Sequence, residues 1–207
     1  NDFPIIVATS VSREDSRIEN LCKKLGIECF RGDEENVLER IIQAARRFSI
    51  DPIIRVCADN PFIDAQSFSS LLAEMDLTDD YVAYIVNGIV SIKTHYGFWG
   101  EVVRLEALQK ALKLSTEKKY LEHVTNFIYE HSEIFKLKLI PYNESELLID
   151  SVRLTIDSEE DFNISREVYS AIVDYGYQLS PKNVMKYLQT RQDLLSIMAD
   201  QKRRYLK

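Results

Sequence analysis

The spacing of apolar residues along the first part of the chain changes regularly from strand-like runs to helical repeats. Residues 5–9 form a short apolar run typical of a buried strand. The next apolar residues recur at helical spacing and are Ile18, Leu21, Cys22 and Leu25. A strand, a helix and a strand are then predicted over residues 27–30, 35–48 and 53–57. This order predicts parallel strands joined by right-handed crossovers, in an α/β sheet with helices on both faces.

The rest of the chain continues as helices and strands without an internal repeat or a linker. Apolar patterns predict helices over residues 65–75, from about residue 105, over 120–131 and over 158–175. They predict strands over residues 81–87, 135–142 and 153–156. One or two further helices are predicted over residues 180–207. We therefore expect a single domain over residues 1–207, with residues 180–207 as a helical appendage.

Composition and charge limit the class of protein. The chain has 207 residues, 45% of them hydrophobic, which suffices for a well-buried core. Its formal net charge is -7, with basic residues spread among the acids, so we expect no nucleic-acid partner. No apolar run approaches the about 20 residues that cross a membrane. The three cysteines form no CxxC pair, which favours reduced thiols and a cytoplasmic protein.

A carboxylate is predicted at the end of the third strand. Asp59 follows the apolar run 53–57 at once, and Pro61 removes a backbone donor, so the strand must stop there. Ligands of open α/β sheets bind at the carboxyl ends of strands, which favours a site at Asp59. The alternative is an ordinary Asp-Asn-Pro turn without a function.

A second aspartate ends another predicted strand, 153–156. Asp157 follows it, and Ser158 with Asp161 has the spacing of a helix N-cap and its capping-box partner. The alternative is that these acids only begin a helix, but that explanation does not require Asp157. Because Asp157 lies just outside the cap, we expect its side chain to be free for another role.

Two carboxylates at strand ends of one sheet predict a site for Mg²⁺. This ion takes one or two protein carboxylates and completes its octahedron with water and phosphate oxygens. The predicted chemistry is therefore phosphoryl or nucleotidyl transfer, in which the metal ion neutralises and orients a nucleoside triphosphate. Such an ion would also let an acidic protein bind an anionic substrate.

Six segments together resemble the cytidylyltransferases that make CMP-activated sugars. They are IIVATS, FRGDEENVLERIIQAA, RVCADNPFID, EVVRLEAL, YLEHVTNFIYEH and RLTIDSEEDF, and they occur in the family's order from about Ile5 to Leu188. The chain is most similar to the branch for spore-coat polysaccharide biosynthesis, related to CMP-Kdo and CMP-acylneuraminate synthetases. The resemblance implies a Rossmann-like nucleotidyltransferase fold, a mostly parallel sheet, a small dimerisation element and a homodimer. It implies transfer of CMP from CTP to an acidic or amino sugar.

The resemblance also implies roles for individual residues. Asp59 and Asp157 would bind Mg²⁺ as the catalytic carboxylates. The nucleotide would contact Thr9, Ser10, Arg40 and, more weakly, Arg31. The sugar would contact His95, Glu101, Glu122 and His123. For Arg40 the alternative is a surface position on an amphipathic helix, and for His123 it is a buried core histidine.

Two departures from the family pattern keep other functions open. Ala58 stands where the family has glycine before the aspartate, and the family's triphosphate-binding loop, of the form A-R-x-x-S-x-R-L-P-x-K, is not in this chain. Since the chain opens with Asn1 and enters a core strand at once, we expect that loop upstream of Ile5. The alternatives are an inactive relative that acts as a dimeric scaffold, and a nucleotidyltransferase that uses another nucleoside triphosphate.

Overall fold

The computed structural model of the chain describes residues 3–143 and 148–204. Its strands are β1 Ile6–Ser10, β2 Glu28–Gly32, β3 Ile53–Arg55, β4 Tyr81–Val86, β5 Ile89–Val90, β6 Glu101–Val103 and β7 Leu137–Pro141. Its α-helices are α1 Ser16–Leu25, α2 Val37–Phe48, α3 Gln66–Glu74, α4 Leu105–Leu114, α5 Lys118–Glu122, α6 Asn126–Glu130, α7 Glu159–Asp174, α8 Pro181–Gln189 and α9 Gln192–Arg204.

The chain forms two compact units. Unit 1 comprises the chain up to Ile53 together with Leu77–Tyr81 and Val103–Leu137. Unit 2 comprises Ile54–Asp76, Val82–Val102 and the chain from Lys138 onward. No helix among the described residues is long and apolar enough to span a membrane. The cytoplasmic location stays a prediction.

Unit 1 contains the parallel pair that the sequence predicts at the start of the chain. β1 and β2 run side by side, with Thr9 opposite Arg31 and Ser10 opposite Gly32. The pairing therefore places the ends of both strands next to the loop that leads into α1.

Helix α1 is confirmed, but most of its apolar face is not buried within the described residues. Cys22 is 4% exposed, whereas Ile18, Leu21 and Leu25 are 38%, 55% and 62% exposed. The helix ends at Gly26, whose φ of 66° is left-handed and whose N–H bonds to the helix C-terminus. All three cysteines of the chain are free thiols, as predicted.

The second sheet is mixed, so the prediction of a mostly parallel sheet is wrong. Its strand order is β3-β6-β4-β5, and β7 also pairs with β4. β4 and β5 are antiparallel because Asn87 and Gly88 connect them with φ angles of 50° and 80°. Two positive φ values are typical of the tight hairpin turn whose twist matches that of the strands.

The strand predicted over residues 153–156 is also wrong, although the segment is buried and hydrogen-bonded. Its backbone N–H groups bond to two different loops, not along one strand. Leu154 donates to the carbonyl of His95 at 2.8 Å, and Ile156 donates to the carbonyl of Asp59 at 2.9 Å. The buried backbone donors thus have partners without forming a ladder.

The core of unit 2 combines this segment with aromatic residues and the last three helices. Its buried members include Phe98, Trp99, Val152, Leu154, Val168, Met185, Leu188 and Met198. Helices α8 and α9 therefore supply core residues of unit 2. The assignment of a single domain with a helical appendage stays a prediction. Residues 205–207 of the predicted appendage lie outside the described part of the chain.

The N-terminus of α7 carries the cap that the sequence predicts. The hydroxyl of Ser158 accepts a hydrogen bond from the N–H of Asp161 at 3.1 Å. The same hydroxyl donates to Oδ2 of Asp161 at 3.0 Å, and the N–H of Asp157 donates to that oxygen at 3.0 Å. The first turn of α7 is thereby fixed to the residue that precedes it.

We predict that Ser158→Ala lowers the free energy of unfolding by about 1 kcal/mol, because it removes the side-chain acceptor at the N-cap of α7. Ser170→Ala is the control, since Ser170 is exposed in the same helix and caps nothing. The control should change stability by less than about 0.5 kcal/mol. Urea unfolding of both variants checks this, and equal midpoints would contradict the assignment of the cap.

Candidate functional site

The structure places the two predicted metal-binding aspartates on neighbouring segments of unit 2. Asp59 lies in a turn after β3, where the N–H of Asn60 bonds to the carbonyl of Cys57 at 3.2 Å. The hydrogen bond from Ile156 to the Asp59 carbonyl fixes the backbone beside this turn. Because Asp157 directly follows Ile156, the two aspartates belong to backbone segments that are hydrogen-bonded to each other.

A third segment meets these two at Gly97. Its φ of 67° is left-handed, and a side-chain carbon there would lie 3.3 Å from Oδ1 of Asn60 and 3.4 Å from the carbonyl oxygen of Leu154. The contact with Asn60 is tighter than ordinary packing, and the left-handed φ strains any other residue, so only glycine fits without strain. The loop that carries His95 is therefore packed directly against the segments of both aspartates.

The side chain of Asp157 is not free, contrary to the prediction from its place outside the cap. Its Oδ2 accepts a hydrogen bond from Nη2 of Arg153 at 2.5 Å. The side chain is nevertheless 38% exposed. One oxygen of the Asp157 carboxylate is therefore held by Arg153, while the carboxylate as a whole remains accessible to water.

Arg153 is the centre of a buried group of charged side chains. It is 1% exposed and donates from Nε to Oδ1 of Asp161 at 3.0 Å. Its Nη1 lies 2.8 Å from Nδ1 of His95, which is 6% exposed. Burial would raise the pKa of Asp161, but hydrogen bonds from Arg153, the Asp157 N–H and Ser158 outweigh it and hold the pKa below its ordinary value.

Sequence reasoning missed Arg153, although a signal for it exists. The residue stands in the otherwise mostly apolar run 152–156, at a position that the structure buries. A fully buried arginine is rare unless it is paired with carboxylates. An arginine inside such a run, followed by acids four and eight residues later, therefore predicts a buried ion-pair network.

The two aspartates fit a magnesium ion by their chemistry. Among the described residues, no group of three or more His, Cys, Asp or Glu side chains could hold a metal ion. A pair of carboxylates is nonetheless sufficient for Mg²⁺ when phosphate and water oxygens complete the shell. A metal ion held by protein side chains alone does not fit this site. The assignment of Asp59 and Asp157 stays a prediction.

Two predicted sugar ligands in unit 2 take part in buried polar contacts. His95 faces Arg153, as described above. Glu101 lies in β6 with 0% exposure, and its Oε1 accepts a hydrogen bond from Nη1 of Arg55 in β3 at 2.6 Å. This pair joins neighbouring strands of the sheet, which gives Glu101 a structural partner in addition to its predicted role.

Three of the predicted nucleotide ligands lie together around the loop after β1. The hydroxyls of Thr9 and Ser10 donate to Oδ2 of Asp15 at 2.6 Å and 2.7 Å, and the Ser10 N–H donates to it at 2.9 Å. Arg31 donates to the carbonyls of Ser10 and Ser12 at 2.9 Å and 2.5 Å. The loop is therefore closed by these residues and Asp15, a residue that sequence reasoning missed.

Asp15 is held as a carboxylate by these contacts. The Thr9 hydroxyl, the Ser10 hydroxyl and the Ser10 N–H lower the pKa of Asp15 to about 2. The other predicted nucleotide ligand, Arg40, donates to the carbonyls of Asp33 and Glu34 at 2.6 Å and 3.3 Å. Arg40 thus fixes the loop before α2, and it is not simply a surface residue of that helix.

Glu122 and His123 lie at the end of α5 in unit 1, and both are exposed. The alternative prediction of a core position for His123 is therefore wrong. The backbone carbonyl of His123 accepts from the N–H of Asn126 at 2.9 Å, which begins the next helical turn. Their side chains remain candidates for contact with a ligand.

We predict that Asp15→Ala destabilises the protein at neutral pH and that this loss disappears in acid. Because the folded-state pKa lies below the unfolded value of about 3.9, the contribution of Asp15 is present above that value and lost as pH falls through about 2. Unfolding by urea between pH 2 and 7 measures it. Glu34→Ala, at an exposed position of the same unit, is the control. A difference that does not depend on pH would refute the prediction.

Comparisons with known proteins agree with this fold. A family model described as cytidylyltransferase matches residues 2–194. An uncharacterized protein of Methanocaldococcus jannaschii is 38% identical over 168 residues, which are 79% of this chain and 65% of that protein. The spore coat polysaccharide biosynthesis protein SpsF of Bacillus subtilis is 32% identical over 167 residues, which are 80% of this chain and 66% of that protein. The chain thus spans about 65% of the length of each relative.

A solved structure supports the fold independently. The cytidylyltransferase of Leptospira borgpetersenii superposes with a TM-score of 0.75 and 22% identity, over 92% of this chain and 77% of that one. The Rossmann-like α/β fold predicted from the sequence is therefore confirmed, with a mixed sheet. Since the family model covers nearly the whole chain, the prediction from its six segments is also confirmed: this chain belongs to the cytidylyltransferase family.

Proposed function

We propose that the protein containing this chain transfers CMP from CTP to a sugar and releases pyrophosphate. The observation that supports the proposal is the backbone hydrogen bond from Ile156 to Asp59, which joins the two backbone segments of unit 2 that carry the aspartates. Family membership and the spore coat polysaccharide relative favour a sugar as the acceptor. An acidic or amino sugar is the proposed class.

In the proposed reaction a sugar hydroxyl attacks the α-phosphorus of CTP. A bond forms between the sugar oxygen and phosphorus, the bond from phosphorus to the bridging oxygen breaks, and pyrophosphate leaves while the hydroxyl proton passes to solvent. Bound Mg²⁺ would neutralise the phosphate charge and align the triphosphate. Asp59 and Asp157 would hold that ion through carboxylate oxygens.

Two features of Asp157 support this proposed role. One of its oxygens is fixed by Arg153, so the carboxylate does not have to be immobilised when a ligand binds. Its side chain is also 38% exposed, which leaves it within reach of a hydrated ion. A fixed ligand that stays accessible is the arrangement expected of a metal-binding carboxylate.

The residues of unit 1 would bind the nucleotide through the loop that they close. Thr9, Ser10 and Arg31 bind Asp15 and neighbouring carbonyls, so their proposed role is to hold the loop backbone in a fixed shape. Glu122 and His123 are the exposed candidates for contact with the sugar. The homodimer implied by the resemblance stays a prediction.

A dimeric scaffold without catalysis is the second candidate. It is favoured by the internal hydrogen bonds of Thr9, Ser10 and Arg31, which use polar groups that a nucleotide would otherwise contact. A nucleotidyltransferase that prefers another nucleoside triphosphate is the third.

We predict that Asp59→Asn lowers the rate of pyrophosphate release from CTP and sugar by about a hundredfold or more, the scale on which losing one transition-state-stabilising group acts. The full-length natural protein is used with Mg²⁺, and pyrophosphate is measured by a coupled assay. Asp76→Asn is the control, because the Asp76 side chain is 74% exposed and its Oδ2 lies 3.5 Å from Nζ of Lys138, away from the candidate metal ligands in the sequence. An Asp59→Asn rate near that of the wild type would exclude the metal assignment.

A second experiment separates the three candidate functions. CTP, UTP, ATP and GTP are each offered with a panel of acidic and amino sugars, and pyrophosphate release is measured. We expect release with CTP and with at least one sugar of this panel. Release with another nucleotide alone would favour the third candidate, and absence of release from every pair would favour the scaffold.

A further inference from the structure

One buried arginine contacts two residues of the candidate site at once. Nη2 of Arg153 donates to Oδ2 of Asp157 at 2.5 Å, and Nη1 lies 2.8 Å from Nδ1 of His95. Its third nitrogen, Nε, donates to Asp161 at 3.0 Å. All three nitrogens of the guanidinium are therefore used, in a side chain that is 1% exposed.

The chemistry of the guanidinium determines the state of His95. Arginine stays protonated in proteins and has N–H donors but no acceptor. A ring nitrogen at hydrogen-bond distance from it must therefore accept through its lone pair. The Nδ1 atom of His95 then carries no proton, so the imidazole is neutral and its proton resides on Nε2.

Asp161 serves as the anchor of this arrangement. It is 2% exposed and receives both Nε and, at 3.3 Å, Nη2 of Arg153. One buried carboxylate thus compensates the buried positive charge, as burial requires. Arg153 also contacts Asp157 and His95, which are not needed for this compensation. These two residues lie in two different segments of unit 2.

We propose that Arg153 is a positioning residue that orients the carboxylate of Asp157 and fixes the Nε2–H tautomer of His95 together. Its planar, forked donor group is suited to this, since its nitrogens point in set directions from one rigid plane. Asp157 is thereby presented to a divalent cation with one oxygen already held, and His95 becomes a hydrogen-bond donor at Nε2. The part that concerns the cation rests on the proposed function.

The tautomer is tested without any turnover. A two-bond ¹H–¹⁵N correlation spectrum of the imidazoles distinguishes the two nitrogens, and His95→Gln identifies the signals of His95. We expect a protonated Nε2 and an unprotonated Nδ1 at neutral pH. A proton on Nδ1, or on both nitrogens, would overturn the proposal.

Positioning of Asp157 is tested by Mn²⁺ binding, measured by electron paramagnetic resonance of the free ion in the full-length protein. Arg153→Met should weaken binding about tenfold to a hundredfold, as loss of a group that orients a metal ligand does. Because this change leaves Asp161 buried without its partner, the double variant Arg153→Met with Asp161→Asn is measured as well. Asparagine keeps an acceptor for the Asp157 N–H and the Ser158 hydroxyl.

Arg191→Met is the matched control, since Arg191 also bonds two carboxylates, Glu167 and Asp193, within unit 2. It should leave Mn²⁺ affinity and the His95 spectrum unchanged. A folded double variant with the affinity and His95 signals of the wild type would refute the positioning role. If the wild type releases no pyrophosphate, only the proposed function is refuted. The His95 tautomer and the Mn²⁺ affinity still test the positioning role of Arg153.

Discussion

The candidate site depends on a buried stretch of backbone that must find partners for its N–H groups. Residues 152–156 do not belong to a strand, yet Leu154 and Ile156 donate to the carbonyls of His95 and Asp59. An unpaired buried donor would cost roughly 1–3 kcal/mol. The requirement to satisfy these two donors therefore holds the loops of His95 and Asp59 against one segment, which is followed by Asp157.

The buried charged side chains of the site belong to the same segment and to the helix that follows it. Arg153 lies in that segment, where removal from water would strongly disfavour its charge without compensation. Asp161 supplies the compensation from the first turn of α7, and the Ser158 cap holds that turn in place. The nine residues from Arg153 to Asp161 thus contain the buried arginine, the candidate metal ligand Asp157 and the start of α7.

Sequence reasoning predicted the helices and the cap, but it missed contacts between distant residues and also the nearby ion pair of Arg153 with Asp157. Helix α7 and its cap follow from Ser158 and Asp161, three positions apart. The pairing of Arg153 with His95 spans 58 positions, so no local pattern predicts it. The mixed sheet is a different case, because Asn87-Gly88 is itself a strong hairpin signal. The strand predicted over residues 153–156 failed because β propensity describes how a side chain fits a half-buried surface, and it does not specify the partners of the backbone groups.

The close contact at Gly97 has a consequence for how the site opens. A side-chain carbon at Gly97 would lie within 4 Å of Asn60, next to Asp59, and of the carbonyl oxygen of Leu154. Since Leu154 bonds to the carbonyl of His95 and Ile156 bonds to the carbonyl of Asp59, a local fluctuation that displaces the segment 154–156 breaks its hydrogen bonds to both loops. The turn of Asp59, the loop of His95 and the approach to Asp157 therefore form one cooperative unit of local unfolding, and the two carboxylates are ordered or lost together.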